Sequence, residues 1–216
     1  MKYKLAIFDM DGTILNTLED LTDSLNYSLK QSIFPERTID EVRQFVGNGI
    51  RKLIERGVPK EASQLQVDRV YADFSEYYKQ HCSDKTTPYN GINELLEKLR
   101  KNGIKTAVVS NKADFAVQDL CKQYFNGLFD LAVGEKSGVR KKPYPDSVNA
   151  VLKELEVDRK NSVYIGDSEV DIQTAANSDM DCISVDWGFR DRSLLKEKGA
   201  ELIISDVSDL EKYIIG

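Results

Sequence analysis

The chain has 216 residues, of which 41% are hydrophobic and 31% are charged, and its 30 basic and 36 acidic side chains give a net charge of −6. This composition is typical of a globular protein with one or two domains and excludes a largely disordered chain. The acidic balance argues against nucleic acid as a partner, and no apolar run approaches the ~18 residues of a membrane span. Three scattered cysteines and a single histidine argue against a zinc or iron–sulfur site and favour reduced thiols in the cytoplasm.

Short apolar runs separated by helix-length segments indicate an α/β fold. Six runs are predicted to be strands buried on both faces of a sheet: Leu5–Phe8, Lys105–Val109, Leu131–Val133, Val163–Ile165, Ile183–Val185 and Leu202–Ile204. Four later segments carry helical patterns: Lys112–Tyr124, Asp146–Leu155, Ser168–Asn177 and Ser193–Lys198. This alternation predicts a doubly wound, Rossmann-like parallel sheet with right-handed crossovers.

The first connection of the sheet is much longer than a crossover needs. Roughly a hundred residues lie between the first two predicted strands, whereas about a dozen suffice. The run Leu18–Leu29 repeats leucine at three- and four-residue steps, as an amphipathic helix does, and three further helical patterns follow without a strand signal. We therefore predict an inserted all-helical cap domain over residues 16–84 and an α/β core domain over residues 1–15 and 85–216.

Polar side chains capable of chemistry follow the predicted strands at their carboxyl ends, where open α/β sheets bind ligands. In chain order they are Asp9, Asp11, Thr13, Ser110, Asn111, Lys142, Asp167 and Asp171. Four aspartates at one sheet edge would repel each other, and a hard cation with oxygen ligands relieves that repulsion. We therefore predict Mg²⁺ rather than zinc, with all four aspartates as candidate ligands. A helix-capping role for Asp167 or Asp171 alone is the alternative.

The same residues meet the requirements of phosphoryl transfer. Asp9 is the predicted nucleophile, which forms an aspartyl-phosphate, and Asp11 is the predicted acid and base. The metal and Lys142 would neutralise the charge of the transferred group. Ser110 would donate a hydrogen bond to a phosphoryl oxygen, together with N–H groups of the adjacent helix N-terminus.

Four motifs of the chain resemble those of the haloacid dehalogenase superfamily and occur in that superfamily's order. They are DMDGT at residues 9–13, an apolar strand ending in Ser110, Lys142-Pro143, and GDSEVD at residues 166–171. The long insertion after the first motif is similar to the superfamily's C1-type helical cap. The resemblance covers essentially the whole chain. The dehalogenases of the superfamily lack the second acid of the first motif, so Asp11 favours phosphate esters over carbon–halogen bonds.

The resemblance also implies roles for individual residues. Asp9 would be the nucleophile and Asp11 the acid and base. Mg²⁺ would be held by Asp9, Asp167 and the main-chain carbonyl of Asp11. Asp171, the last acid of the fourth motif, would orient Lys142 or a metal-bound water.

Two further segments resemble phosphoglycolate phosphatase-like members of the superfamily: VGNGI at residues 46–50 and WGFR at residues 187–190. The N–H groups of Gly47–Gly49, placed before a helix, would bind the carboxylate of a small substrate, and a plain loop with a glycine helix cap is the alternative. Arg190 either approaches the phosphate or is a solvated loop charge. The complete set of substrate-binding candidates is Thr13, Gly47, Asn48, Gly49, Asn111 and Arg190.

These observations predict a Mg²⁺-dependent phosphatase that acts on a small phosphorylated metabolite and resembles the phosphoglycolate phosphatases. A pyrophosphatase or nucleotidase of the same subfamily, a β-phosphoglucomutase-like mutase, and a receiver-like module phosphorylated on aspartate are the alternatives. Residues 16–23 contain neither histidine nor lysine, which favours hydrolysis over a mutase reaction. The large insertion argues against a receiver. The sequence indicates neither the physiological substrate nor the oligomeric state.

Overall fold

The computed structural model describes residues 2–216. These residues form two compact units, one made by the segment up to Leu15 together with Pro88–Gly216 and the other by Asn16–Thr87. The first unit alternates strands and helices, and the second is mainly helical. None of the helices in the described range has the length and apolar character needed to cross a membrane.

The α/β unit is built on a parallel sheet of six strands. The strands of the chain are, in order, β1 Leu5–Phe8, β2 Leu15–Asn16, β3 Thr87–Pro88, β4 Lys105–Ala113, β5 Leu131–Glu135, β6 Ser162–Gly166, β7 Asp181–Val185 and β8 Ile203–Ile204. The sheet order is β5-β4-β1-β6-β7-β8, while β2 and β3 pair separately. The chain order reverses at β1, between β4 and β6, which is where doubly wound sheets leave a crevice at the carboxyl ends of their strands.

Ten helices and one 3-10 turn occur within residues 2–216. They are α1 Leu18–Gln31, α2 Ile39–Phe45, α3 Ile50–Gly57, α4 Gln64–His81, α5 Ile92–Lys101, α6 Asp114–Phe125, α7 Asp146–Glu154, α8 Glu169–Asn177, α9 Arg192–Glu197 and α10 Val207–Ile215, with the 3-10 turn at Arg159–Asn161. The local sequence explains where two of these helices begin. Thr38 and Glu41 form a capping box at α2, and Ser63 and Gln66 form another at α4.

The central strands are buried because they are apolar on both faces. All four residues of β1 are fully buried. Ile7 belongs to a cluster that includes Val109 of β4, Tyr164 of β6 and Val148 of α7. Burial of each large apolar side chain contributes about 1.5–3 kcal/mol.

The six-stranded parallel sheet, with its order reversing at β1, confirms the predicted doubly wound α/β fold.

The structure corrects the predicted end of the second core strand. β4 continues to Ala113, so Ser110–Lys112 lies inside the strand rather than in a loop after it, and α6 begins only at Asp114. The register between β4 and β5 shifts between Val109 and Ala113, as at a bulge. The apolar pattern predicts that the strand ends at Val109, but the bulge allows the polar residues after Val109 to continue it. The two-residue strands β2 and β3 and the last helix, α10, were not predicted.

The helical unit packs α1 against α4. Leu25 and Leu29 of α1 and Val70 and Phe74 of α4 are fully buried, which agrees with the helical spacing of these residues. Their apolar surface forms the core of this unit.

Asp20 of α1 connects this helix to the segment that follows α4. Its buried carboxylate accepts hydrogen bonds from the N–H groups of Lys85 and Thr86 and from the Thr86 hydroxyl, at 2.7–3.1 Å. One side chain thus satisfies three donors of a segment that belongs to no helix.

Candidate active site

Three buried aspartates lie together at the carboxyl edge of the sheet. Asp9 follows β1, Asp167 follows β6, and Asp171 lies in the first turn of α8. Each offers a carboxylate oxygen, and these oxygens lie within 4.8 Å of one another. Three buried carboxylates at such distances repel each other unless protons or a cation neutralise them.

The electrostatics of the cluster show how strongly this repulsion acts on the protein alone. Burial and the nearby charge of Asp171 raise the pKa of Asp9 to about 7. Burial, with the charges of Asp171 and Asp9, raises the pKa of Asp167 well above its ordinary value. The oxygen-only donor set therefore fits a hard divalent cation, which would favour the ionised form of each carboxylate.

Lys142 is the cation that the protein itself supplies to this cluster. Its Nζ lies 2.8 Å from Oδ1 of Asp9 and 2.9 Å from Oδ1 of Asp171, and it donates a 3.0 Å hydrogen bond to the hydroxyl of Tyr164. Burial alone would lower the pKa of Lys142, but the charges of Asp171 and Asp9 raise it well above its ordinary value. The side chain therefore remains an ammonium group.

Tyr164 is a residue of the site that the sequence analysis missed. Its hydroxyl donates to the main-chain oxygen of Val109 at 3.2 Å and accepts from Lys142. Burial raises the pKa of Tyr164 well above its ordinary value, so the phenol stays protonated. A single tyrosine within the apolar strand β6 was the only signal for it in the sequence.

The carboxylate of Asp9 is also fixed from its own main chain. The N–H of Met10 donates to Oδ1 of Asp9 at 2.7 Å, the oxygen that Lys142 contacts. Two donors on one oxygen hold the plane of the carboxylate.

Asp167 is held by two residues from other loops. The hydroxyl of Thr13 donates to its Oδ1 at 3.0 Å, and the N–H of Phe189 donates to its Oδ2 at 2.8 Å. The glycines beside it are required by this packing, because a Cβ on Gly12, whose φ is +86°, or on Gly188 would collide with the Asp167 side chain. Asp167 thus does not cap the helix that follows it.

Asp171, by contrast, both caps a helix and contacts Lys142. Its Oδ2 accepts from the N–H and the hydroxyl of Ser168 at 3.1 and 2.6 Å, completing a capping box at α8. Its Oδ1 faces Lys142. The predicted orientation of Lys142 by Asp171 agrees with this contact.

Ser110 and Asn111 lie buried at the end of β4. The hydroxyl oxygen of Ser110 accepts from the N–H of Lys112 at 3.2 Å, which leaves its proton to be donated. Asn111 donates through Nδ2 to the main-chain oxygen of Lys142 at 3.0 Å. Asn111 therefore fixes the loop that carries the lysine of the cluster.

The geometry of this acidic cluster agrees with the chain's similarity to known proteins. The family profile of haloacid dehalogenase-like hydrolases matches residues 6–185. This chain is a haloacid dehalogenase-like hydrolase. It is 32% identical over 200 residues to a phosphoglycolate phosphatase of Mesorhizobium japonicum, covering 89% of this chain and 86% of the relative.

Two further relatives of this haloacid dehalogenase-like hydrolase match its full length. A phosphoglycolate phosphatase of Psychrobacter arcticus is 29% identical, over 100% of this chain and 97% of the relative. A crystal structure from Lactobacillus delbrueckii subsp. bulgaricus, provisionally named a phosphoglycolate phosphatase, is 44% identical with a TM-score of 0.96 and complete coverage of both chains. The family and the phosphatase class of enzyme predicted from the sequence are thereby confirmed.

Asp11 of the hydrolase takes part in a different contact from the other three aspartates. Its carboxylate is not part of the acidic cluster found within residues 2–216. Instead Oδ1 of Asp11 lies 2.8 Å from Nζ of Lys112, whose side chain is only 2% exposed, against 21% for Asp11. The sequence pattern assigns Lys112 no role, because nothing in it shows that β4 extends far enough to aim this side chain at Asp11. Metal binding by the Asp11 carbonyl stays a prediction.

Arg190 is not a solvated loop charge, and that interpretation was wrong. The residue is 5% exposed, and its Nε donates to Oε2 of Glu169 at 3.0 Å. Glu169, in the first turn of α8, attracts the guanidinium into the protein. A direct contact of Arg190 with substrate stays a prediction.

The Gly47–Gly49 turn belongs to the helical unit of the hydrolase. Gly47 and Gly49 have φ values of +113° and +84°, and Gly49 caps α3, so this backbone favours glycine whether or not a ligand binds. Oδ1 of Asn48 accepts from Arg56 at 2.8 Å. Substrate binding by the turn stays a prediction.

Proposed function

We propose that this hydrolase is a Mg²⁺-dependent phosphatase that cleaves small phosphate monoesters through an aspartyl-phosphate on Asp9. The observation that carries the proposal is the contact of one buried lysine, Lys142, with both Asp9 and Asp171 inside the cluster of three aspartates. A carboxylate nucleophile beside a cation-binding cluster and a fixed ammonium group is what phosphoryl transfer to aspartate requires. The named phosphatases among the relatives support the same class of reaction.

The three clustered carboxylates suit a divalent ion in number, in donor type and in burial. Asp9, Asp167 and Asp171 would hold it, with the main-chain carbonyl of Asp11 as a further proposed ligand. When bound, Mg²⁺ would neutralise part of the charge of the carboxylates and of the phosphoryl group.

In the first step, a carboxylate oxygen of Asp9 attacks phosphorus. The new bond joins this oxygen to phosphorus, and the bond from phosphorus to the ester oxygen of the substrate breaks. Asp11, in its protonated form, gives its proton to the departing oxygen, so that an alcohol leaves. The products of the step are the alcohol, phosphorylated Asp9 and ionised Asp11.

In the second step, a water molecule hydrolyses the aspartyl-phosphate. Asp11, now ionised, takes a proton from the water as its oxygen bonds to phosphorus, and the bond from phosphorus to Asp9 breaks. Inorganic phosphate leaves, and both carboxyl groups return to their starting protonation states.

The remaining side chains of the site act on the phosphoryl oxygens. Lys142 keeps its positive charge because two carboxylates surround it, and this charge stabilises the transferred group. Ser110 can donate its hydroxyl proton, since its oxygen already accepts the N–H of Lys112. Thr13 and Asn111 stay proposed substrate contacts, although each already positions another residue of the site.

For the substrate we propose a small ester with a second anionic group, as in phosphoglycolate. The relatives named phosphoglycolate phosphatases support this choice, and the Gly47–Gly49 turn would bind the carboxylate as part of a cap domain. Arg190 is a further proposed contact. The proposed substrate is thus a small metabolite rather than a macromolecule.

A substrate panel with the purified full chain tests the proposal. Phosphoglycolate, ethyl phosphate, a nucleoside monophosphate, pyrophosphate and glucose 1-phosphate are compared by kcat/KM, with Mg²⁺ and with a chelator. We expect Mg²⁺-dependent phosphate release that is fastest for phosphoglycolate and absent in Asp9→Asn, while Asp209→Asn, an exposed residue of α10, behaves as wild type. Preference for pyrophosphate or the nucleotide, or isomerisation of the sugar phosphate, would instead support one of the alternative activities.

A further inference from the structure

The buried lysine Lys112 has no part in the steps proposed above. Its ammonium group lies 2.8 Å from Oδ1 of Asp11, and its side chain is 2% exposed. An ammonium group at this distance can donate to Oδ1 of Asp11 in either the ionised or the protonated form of the carboxyl group. Shielded from water on the lysine side, this hydrogen bond restricts the carboxyl group far more than a surface ion pair does.

The main chain at Lys112 is itself tightly placed. Its N–H donates to the hydroxyl of Ser110, and its carbonyl packs against Gly134 of β5, where a Cβ would lie 2.7 Å from that oxygen and 2.5 Å from Cα of Asp114. The bulge between Val109 and Ala113 occurs in the same stretch. The base of the lysine side chain is therefore fixed by the sheet, and its ammonium group is aimed from a rigid support.

The two buried lysines of the site contact different carboxylates. Lys142 contacts Asp9 and Asp171, whereas Lys112 contacts Asp11. This division matches the two functions assigned to the carboxylates, since Asp9 reacts with phosphorus and Asp11 exchanges a proton with the leaving group.

We propose that Lys112 is a positioning residue that holds the carboxyl group of Asp11 where it can pass its proton to the leaving oxygen. The inference rests on the proposed function, because that function makes Asp11 the acid and base. General acid catalysis contributes about 10²–10⁴-fold, and a displacement of about 1 Å can remove about 10²-fold of a rate. Loss of Lys112 should therefore affect substrates that need a protonated leaving group and leave other substrates nearly unchanged.

Three substrates separate this role from other roles of Lys112. Ethyl phosphate has a poor leaving group and no second charge, phosphoglycolate has a poor leaving group and a carboxylate, and 4-nitrophenyl phosphate has a good leaving group that needs no proton. The ratio kcat/KM is measured because it reports the transfer to Asp9 and not the later hydrolysis. For Lys112→Met we expect a fall of about 10- to 100-fold for both alkyl esters and less than about threefold for 4-nitrophenyl phosphate.

Two control variants accompany Lys112→Met. Lys101→Met removes an equal charge from an exposed position on α5, where the side chain is 75% exposed, and should leave all three values unchanged. Lys112→Arg keeps the positive charge but changes the length and shape of the side chain. It should show the same selective fall in kcat/KM for the alkyl esters, but a smaller one. Circular dichroism and thermal unfolding establish that each variant is folded, and the Lys112→Arg comparison decides the matter should Lys112→Met not fold.

A double-mutant cycle tests whether Lys112 acts through Asp11. In the Asp11→Asn background, the change from Lys112 to Met should alter kcat/KM for ethyl phosphate by less than about twofold, because the group it positions is gone. An undiminished further loss would overturn the proposal.

Other outcomes also decide against it. Equal losses with all three substrates would show a merely structural lysine, and a loss confined to phosphoglycolate would show that Lys112 binds the carboxylate of the substrate. No loss in either Lys112 variant would show that Asp11 needs no support. Absence of Asp9-dependent turnover in the wild type would instead overturn the proposed function itself, so the two failures are distinguishable.

Discussion

The hydroxyl of Thr13 donates a 3.0 Å hydrogen bond to Oδ1 of Asp167, a residue 154 positions away in the chain. The other carboxylate oxygen of Asp167 accepts the N–H of Phe189. Both oxygens thus have a donor before any cation binds, so the loop after β1 sets the orientation of a proposed metal ligand after β6. Such outer contacts commonly change metal affinity by about 10–100-fold when they are removed.

Replacement of Thr13 tests this relationship. Thr13→Val keeps the shape of the side chain and removes the hydroxyl, so we expect the Mg²⁺ concentration for half-maximal activity to rise about tenfold or more. Thr13→Ser retains the donor and should remain within about threefold of wild type. KM for the substrate is measured at saturating Mg²⁺. A normal Mg²⁺ requirement with a raised KM would show that Thr13 binds substrate and does not orient Asp167.

The raised pKa of Asp9 predicts how stability of the metal-free protein depends on pH. The pKa of Asp9 is raised from 3.8 to about 7 by burial and by Asp171. Between these values the unfolded chain releases the proton of Asp9 while the folded chain keeps it, so the free energy of unfolding falls as pH rises. The contribution is complete below pH 3.8 and is lost as pH passes through about 7.

Comparison with Asp9→Asn isolates this contribution. In chelator, we expect wild type to become less stable relative to Asp9→Asn as pH rises from about 4 to about 7, by a few kcal/mol in denaturant unfolding at about 1.4 kcal/mol per pKa unit. Mg²⁺ should restore wild-type stability most at the higher pH, where the buried carboxylate of Asp9 must otherwise be ionised beside the charge of Asp171. A stability difference that does not change with pH would contradict the raised pKa.

The core sheet could be predicted because strands buried on both faces appear in the sequence as short runs of apolar residues. Residues 5–8 and 162–166 are apolar runs, apart from Ser162 and Tyr164, and both are strands of the sheet. The motif aspartates could be placed at the carboxyl ends of such strands by topology alone. The sequence therefore predicted all three aspartates of the cluster, together with Asp11, which the cluster does not include.

The contacts that the sequence did not predict depend on three-dimensional geometry. Lys112 pairs with Asp11 because β4 continues through a bulge, and a bulge has no apolar signature. Tyr164 lies in a run predicted only as a buried strand, and its hydroxyl matters because Lys142 lies beside it. Arg190 is buried and pairs with Glu169, 21 positions away, a contact that its charge alone does not predict.

Asp20 should contribute substantially to the stability of the helical unit. Asp20→Ala leaves the part-buried N–H of Lys85 and the buried N–H and hydroxyl of Thr86 without this acceptor, and a lost acceptor for a buried donor costs about 1–3 kcal/mol. We expect the free energy of unfolding to fall by about 2–4 kcal/mol. Asp23→Ala, which removes only one of the two exposed carboxylates near the Lys85 ammonium, should change stability little. Equal effects of the two substitutions would show that the Asp20 hydrogen bonds contribute nothing beyond surface charge.

The carboxylate-binding role of the Gly47–Gly49 turn calls for a control glycine that also has a positive φ but lies elsewhere in the chain. Gly49 has a φ of +84° and caps α3, so an alanine there is strained even without a ligand. Gly103 has a φ of +70°, and a Cβ there would meet nothing within 4 Å. Gly49→Ala should therefore lower thermal stability more than Gly103→Ala does, because the φ of +84° and ψ of 167° at Gly49 lie in a region that essentially only glycine occupies, at a cost of about 1–3 kcal/mol for other residues.

Substrate dependence then distinguishes binding from folding. If the N–H groups of the turn bind the substrate carboxylate, Gly49→Ala should raise KM for phosphoglycolate about fivefold or more, while kcat/KM for ethyl phosphate, which has no carboxylate, changes little. Gly103→Ala should affect neither substrate, because its strain lies in a turn with no assigned ligand. A parallel loss of activity on both substrates in Gly49→Ala would mean that the glycines serve only the conformation of the turn. The second anionic group of the substrate would then need a different binding residue, and Arg190 would be the next to test.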